Sequence, residues 1–185
     1  MPELIPPTPR VHASYLEACT EYQADQHPSG VSRFHATLDL AALHDPRAFV
    51  LLCRALTARA LPYQHAPSGA RVSVWWWVDG DDYLGEATVR DDLTDPSRPA
   101  GSPVEHLGHL GFMLRPTARG RGLARSLLTA ALNRASQAGV DPVLLTVAPD
   151  NAASVRTITA CGGVRLTRDR NDSGELWLFL TSGHA

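Results

Sequence analysis

Apolar positions recur along the chain with two periods, one typical of strands and one typical of helices. Residues 71–78 and 83–90 are strand-like, and the turn residues Asp79-Gly80-Asp81 between them predict a β-hairpin. From residue 123 onward the apolar positions follow helical spacing, and Ala138-Gly139 marks the predicted end of that helix. The chain is therefore expected to contain both sheet and helices.

The first seventy residues have a helical pattern. Residues 1–10 hold four prolines and are interpreted as an extended arm. A helix is predicted from Val11 to about Gln26, where apolar side chains recur on one side. Residues 34–61 are predicted to form one or two further helices, divided near Asp45-Pro46, where Asp45 can cap and Pro46 can begin the helix.

The remaining apolar runs complete the predicted fold. The run Val143–Val147 has no alternation, which favours a central strand buried on both faces. A helix is expected at residues 152–161, followed by a final strand pair at Val164–Arg168 and Leu176–Leu180. The fold class is α/β of the α+β type, with a mixed, mainly antiparallel central sheet flanked by helices.

Between the hairpin and the long helix lies a basic turn that predicts a phosphate site. An apolar run, Leu107–Leu114, is stopped by Arg115-Pro116, and the segment Thr117–Gly122 then leads into the helix. A helix N-terminus offers unpaired N–H groups and a positive dipole end, and glycine lets a ligand approach the main chain. Neither a Walker loop, which needs GxxxxGK, nor the dinucleotide motif GxGxxG fits this turn.

The pattern that fits is R-x-x-G-x-A, formed by Arg119, Gly122 and Ala124. In this turn the sequence resembles the GNAT superfamily of acyl-CoA-dependent N-acyltransferases, and the resemblance implies a GNAT-like acyl-CoA N-acyltransferase fold. It also implies that the main chain of the turn holds the pyrophosphate of acetyl-CoA, used as a co-substrate, while the preceding strand pairs with the pantetheine arm. The coenzyme-binding residues implied are Phe112, Met113, Leu114, Arg119, Gly120, Arg121, Gly122, Leu123, Ala124 and Arg125.

A second stretch resembles the same family. The segment Asp150–Arg156, followed by Cys161-Gly162-Gly163, is similar to the family's element in which an Asn-initiated helix lies near the coenzyme. The resemblance adds Asn151 and Ser154 to the coenzyme-binding residues, although Asn151 is equally interpreted as a structural helix N-cap. The similarity covers roughly residues 72–180, and no match to the family is identified for the first seventy residues.

Length, net charge and cysteine content limit the classes of protein to which this chain can belong. With 185 residues the chain is long enough for one well-buried core, so a single domain, 1–185, is predicted, with 1–70 shaping the acceptor site and 72–180 forming the sheet and coenzyme core. The net charge of −2 does not favour nucleic acid. Three separated cysteines indicate free thiols in a reducing compartment and no metal site. No stretch is long enough to span a membrane, so a cytoplasmic location is expected.

Acyl transfer to an amine requires a neutral amine, and the sequence offers several candidate bases. Glu105, His106 and His109 lie on or just before the strand leading to the turn, and Glu86 lies on its expected neighbour. His109 and Glu105 are the predicted catalytic residues. Alternatively, His109 is a hydrogen-bonded structural histidine, and Glu105 is a solvated charge at the strand end.

One position departs from the family. Many members place a tyrosine seven residues after the Asn, where it protonates the departing thiolate, but position 158 is Ile. Either another residue, such as Cys161 or Tyr83, replaces that acid, or the thiolate leaves unassisted, as a thiol pKa of about 8.5 permits.

The leading hypothesis is an acetyl-CoA-dependent N-acetyltransferase that acts on a primary amine of a small molecule or peptide by direct attack in a ternary complex. The alternative is a non-catalytic acyl-CoA-binding regulatory domain. Binding of the basic turn to nucleic acid is disfavoured because the patch is short and lacks an aromatic RNA-binding motif. A homodimer through a terminal strand or an exposed sheet edge is also predicted. No motif identifies the amine.

The three consecutive tryptophans, Trp75, Trp76 and Trp77, must point to both faces of their strand. The favoured interpretation is that Trp75 and Trp77 pack on one face and Trp76 on the other. The functional alternative is that one of them lines the acceptor pocket.

Overall fold

The computed structural model describes residues 1–25, 34–35, 37–60, 72–90, 108–171 and 174–182. These residues form seven strands and five helices. The strands are β1 (Glu3–Ile5), β2 (Val72–Asp79), β3 (Asp82–Arg90), β4 (Leu110–Leu114), β5 (Val143–Val147), β6 (Val164–Asn171) and β7 (Gly174–Thr181). The helices are α1 (His12–Ala24), α2 (Leu40–Leu43), α3 (Pro46–Thr57), α4 (Leu123–Gln137) and α5 (Ala152–Ala160).

The strands form two antiparallel sheets, which confirms the predicted mainly antiparallel architecture. One sheet has the order β1-β2-β3-β4 and the other the order β5-β7-β6. In the hairpin, Val72 pairs with Arg90 at one end and Asp79 with Asp82 at the turn, with a bulge between Trp77 and Val78. The predicted extended arm also contributes an edge strand to this sheet, because Glu3–Ile5 within it pairs with β2.

Two apolar clusters cover opposite faces of the first sheet. Helix α4 packs against one face through Leu127, Leu128 and Ala131, and this cluster continues into the second sheet through Leu145 and Phe179. Helices α1 and α3 cover the other face. Because α4 contacts both sheets, it joins them in one core.

The three tryptophans divide between these faces as the alternation predicts. Trp77 and Trp75 pack in the cluster of α4, whereas Trp76 is fully buried in the cluster of α1 and α3. Trp76 stacks on Tyr15, with ring centroids 4.7 Å apart. The prediction that all three serve packing is confirmed for the described residues.

The prediction for β5 is wrong in one respect. Val143, Leu145 and Val147 are buried, but Leu144 and Thr146 between them are only partly buried. Within the described strands β5 has a single ladder partner, β7, and therefore ends its sheet. Leu144 is apolar although it lies on the less covered face, so the run Val-Leu-Leu-Thr-Val shows no clear alternation of apolar and polar residues. For this reason the sequence pattern predicted a strand buried on both faces.

Candidate active site

The end of β4 nearest β5 is where the two sheets meet. The N–H of His109, just before β4, donates to the carbonyl oxygen of Leu144 at 2.8 Å. The N–H of Leu144 donates in turn to Nδ1 of His109 at 2.9 Å. A Cβ atom on Gly108, whose φ is 66°, would lie 2.6 Å from the Leu144 oxygen, so only glycine permits this approach.

Beyond this junction β4 and β5 belong to different sheets. The ladder of β4 runs to β3, where Leu110 pairs with Val89 and Leu114 with Gly85. Since β4 ends its sheet among the described strands, one of its main-chain edges points toward β5 without forming a ladder with it. This edge contains Phe112, Met113 and Leu114, the three residues predicted to lie along the pantetheine arm.

The chain leaves β4 through a turn that leads directly into α4. A 3₁₀ turn at Pro116–Ala118 is followed by Gly120 and Gly122, with φ of 73° and 78°. Gly122 is the N-cap residue of α4, and no side chain of the described residues caps this helix. A Cβ atom built on either glycine meets no atom within 4 Å, so the surface in front of the helix is open. The first N–H groups of α4 are thus available to an anion.

The arginines around this turn have different surroundings. Arg121 and Arg125 are exposed beside the helix start. The guanidinium of Arg119 instead pairs with Asp25 at 2.7 Å and donates to the carbonyl oxygen of Leu114 at 3.3 Å. The Arg119 side chain therefore connects the turn to the end of α1, whereas its main chain lies just before the first turn of α4.

Arg115, which the sequence reasoning did not select, connects three elements at the end of β4. Its residue is only 9% exposed, and its guanidinium donates to Glu21 at 3.0 Å, to Ser14 at 2.9 Å and to the carbonyl oxygen of Tyr83 at 3.3 Å. Glu21 also accepts the N–H of Thr117 at 3.0 Å. Helix α1 therefore holds the 3₁₀ turn in place. The only feature of the sequence that indicates this contact is a pair of acidic residues, Glu17 and Glu21, four positions apart in α1.

Asn151 acts as the N-cap of α5. Its Oδ1 accepts the N–H of Ser154 at 3.1 Å, which is the capping geometry. Ile158, which stands where many family members have tyrosine, is fully buried in the cluster around α4 and contacts the main chain at Gly163. Position 158 therefore belongs to the packed core of this chain.

The candidate catalytic residues that the structure describes do not all meet at one site. Glu105 and His106 lie outside the described residues. His109 is half-buried and uses Nδ1 at the junction of the sheets. Tyr83 is fully buried on the face covered by α1, whereas Cys161 lies beside α4, with Sγ 3.7 Å from the carbonyl oxygen of Arg125. Glu86 is buried beside Tyr83 and His35.

Comparison with known proteins identifies the family. The acetyltransferase (GNAT) domain family matches residues 11–164, most of the chain. The chain belongs to the GNAT acetyltransferase family. Membership confirms the resemblance, the predicted fold and the predicted reaction class, acetyl transfer from acetyl-CoA to an amine. The match begins at residue 11, so it includes α1 to α3, for which the sequence reasoning found no counterpart.

Solved structures support the GNAT fold. A ribosomal-protein alpha-N-acetyltransferase, RimL, in complex with coenzyme A aligns with a TM-score of 0.63 at 12% identity, covering 98% of this chain and 94% of the other. A ribosomal-protein-S5-alanine acetyltransferase from Vibrio fischeri gives 0.61 at 16%, covering 98% and 92%. The aminoglycoside acetyltransferase AAC(6')-Ib with coenzyme A and kanamycin gives 0.61 at 14%, covering 98% and 95%. At these identities the likeness shows the fold. No curated protein matches the sequence significantly.

The described part of this GNAT chain contains neither a membrane-spanning helix nor a cluster of metal ligands. None of its described helices is both long and apolar enough to cross a membrane. Within the same residues, no group of three or more His, Cys, Asp or Glu side chains is arranged to hold a metal ion.

Proposed function

We propose that this GNAT acetyltransferase transfers the acetyl group of acetyl-CoA to a primary amine of a small molecule or peptide by direct attack in a ternary complex. The observation that carries the proposal is the open, uncapped N-terminus of α4, which directly follows the edge strand β4. A pyrophosphate at this helix start would accept N–H groups and meet the positive end of the dipole. The same molecule could then extend its pantetheine arm along β4.

The roles of the coenzyme-binding residues follow from their positions. The main chain of the turn from Arg119 to Gly122 and the first turn of α4, including Leu123 and Ala124, would hold the phosphates, while exposed Arg121 and Arg125 add positive charge. Main-chain groups at the β4 edge would bind the pantetheine amides and the thioester carbonyl. Asn151 and Ser154 are proposed to act by starting α5 beside this site.

The leaving thiolate has no tyrosine at position 158 to protonate it. Tyr83 is fully buried, and burial together with the charge of Glu86 raises its pKa well above the ordinary value. A hydroxyl with a raised pKa that already donates to Glu86 is a poor proton donor to a bound thioester. We therefore favour unassisted departure of the thiolate, which its low solution pKa permits.

His109 or Glu105 is a first candidate for the base, as the sequence predicts, and the structure describes only His109 of the two. For His109 the proton would have to be taken at Nε2, because Nδ1 accepts the N–H of Leu144. His109→Asn separates this role from the junction, because the Asn oxygen can accept the same N–H but cannot take a proton at neutral pH. A lower rate near neutral pH, without the fall at low pH that a histidine base gives the wild type, supports the role. An unchanged pH profile contradicts it.

The first experiment is calorimetric titration of the protein with acetyl-CoA. A pool of spermidine, kanamycin and a peptide with N-terminal alanine is then added while free thiol is monitored. These probes represent the amines named for solved GNAT structures. Binding followed by amine-dependent thiol release supports the proposed function. Binding without release with any amine supports the non-catalytic alternative, and no binding contradicts both.

Gly122→Asp tests the assignment of the turn. An Asp at this position adds strain at positive φ and a negative charge facing the phosphates, so we expect the heat of acetyl-CoA binding to be lost. Gly139→Asp is the matched control, because Gly139 lies past the other end of α4 with φ of 82° and equally open surroundings. Normal affinity in the Gly122 variant would refute the assignment.

Oligomeric state and location remain proposals. Strand β6 ends its sheet among the described strands and exposes Val164 and Leu166, which are 64% and 54% exposed. These side chains favour a homodimer through this strand. Sedimentation of the wild type and of Leu166→Lys tests it, and a monomeric wild type would contradict it.

A cytoplasmic location is proposed from the free thiols alone.

A further inference from the structure

Glu86 is a carboxylate buried within an aromatic cluster, on the face of β3 that α1 covers. Glu86 is 3% exposed and His35 is 0% exposed. One carboxylate oxygen, Oε2, lies 3.2 Å from Nε2 of His35 and accepts the hydroxyl of Tyr83, also at 3.2 Å. The carboxylate and the imidazole therefore form a contact pair away from solvent.

Among the described neighbours of this pair, three side chains have a raised pKa. From β3, Tyr83 has a pKa raised by burial and then by the charge of Glu86. From α1, Tyr22 has a pKa raised by the same two causes, and Cys19 has a pKa raised to about 12. Tyr15 of α1 also packs on the His35 ring, with centroids 5.6 Å apart. Tyr83, Tyr22 and Cys19 therefore carry no negative charge near neutral pH.

A purely structural role does not account for the pair. Burial of a carboxylate is unfavourable, and apolar residues of similar size commonly replace buried ion pairs without loss of stability. The surrounding side chains, including Trp76, Tyr15 and Phe49, already form a well-packed cluster. A charged group retained in such a cluster is more typical of function.

The pair lies close to the edge where the acetyl group would be held. Glu86 is directly opposite Met113 of β4. Directly opposed residues share a face, and neighbouring strands are about 4.8 Å apart, so Glu86 is one strand inside the β4 edge.

We propose that Glu86 and His35 act together as the proton acceptor for the amine substrate, through a bridging water, and so support acetyl transfer. This inference rests on the proposed function. A proton leaves the ammonium group through the water to neutral His35, where anionic Glu86 stabilises the imidazolium. The amine nitrogen then forms a bond to the acetyl carbon as the carbon–sulfur bond breaks. The second amine proton goes to the thiolate, and the proton on His35 is released to solvent.

The test compares Glu86→Gln and His35→Gln with Thr88→Val. Thr88 is a matched control because it is buried, two residues along β3 and on the same face as Glu86. Each variant is first titrated with acetyl-CoA. Thiol release is then measured against pH with whichever of spermidine, kanamycin or the alanyl peptide is turned over, or with water as the acceptor if none is.

We expect the Gln variants to bind acetyl-CoA normally and to lose at least about 100-fold in kcat, because general-base catalysis contributes 10²- to 10⁴-fold. Their pH profiles should differ from that of the wild type, whereas Thr88→Val should keep the wild-type profile. Near wild-type kcat and an unchanged profile in Glu86→Gln would overturn the proposal, and His35→Gln provides the same comparison if that variant does not fold. A wild type that does not bind acetyl-CoA would overturn the proposed function, and this proposal with it.

Discussion

At the scale of single residues, the three cysteines differ in ways that the sequence does not reveal. Burial raises the pKa of Cys53 to about 12, and burial with the charge of Glu86 raises that of Cys19 to about 12. Cys161 is half-buried beside the first turns of α4. Reactivity of a thiol depends on access and on its thiolate form, so the cysteines should react at different rates.

We expect Cys161 to react first with a thiol reagent, with Cys19 and Cys53 reacting only on unfolding. At pH 8, a thiol with a pKa of about 12 has a thiolate fraction on the order of 10⁻⁴. Thiol titration of the native protein should show one fast equivalent. Cys161→Ser should remove the fast phase, and a fast phase that persists in this variant would contradict the assignment.

At the scale of elements, α1 is fastened to the turn before α4 by the contacts of Glu21. Burial by itself would raise the pKa of Glu21, but hydrogen bonds from Arg115 and Thr117 outweigh it and hold this pKa below its ordinary value of 4.5. A carboxylate with a lowered pKa stabilises the fold fully above its unfolded pKa. That contribution is lost as the pH falls through the folded pKa.

Glu21→Gln should therefore destabilise the protein at pH 7 by about 1.5–3 kcal/mol, the range for hydrogen bonds to charged groups. The difference from wild type should shrink below pH 4.5, the ordinary pKa of Glu. Urea unfolding at several pH values measures it. Glu17→Gln is the matched control, one turn earlier on α1, because Glu17 contacts Arg115 at 3.4 Å from an exposed position and should have little effect. Equal losses in both variants, or a difference that does not depend on pH, would contradict this account.

At the scale of the whole molecule, two sheets share one core through α4 and meet at His109 and Leu144. The junction consists of two hydrogen bonds, one of which uses the His109 side chain. Its loss would leave the N–H of Leu144, on the edge strand β5, without that partner.

His109→Ala should lower the free energy of unfolding by about 1–3 kcal/mol, the cost of an unsatisfied polar group. His109→Asn should retain most of the stability, because its oxygen can replace Nδ1 as acceptor. Equilibrium denaturation compares the two variants. Equal stability of the Ala and Asn variants would show that this hydrogen bond contributes little to the joining of the sheets.

Local chemistry in the sequence determined the strands, the helices and the turn at residues 115–122. Hydrophobic period, proline, glycine and capping residues act over a few residues, so the hairpin, the start of α4 and the Asn151 cap could be predicted. Tertiary structure decided which distant residues meet. Arg115 and Glu21 are 94 residues apart, and Glu86 and His35, distant in the sequence, meet only in the folded protein. In sequence, Glu17 and Glu21 look like a solvated helix face and His35 like an isolated histidine, because burial and partners arise only when the elements pack.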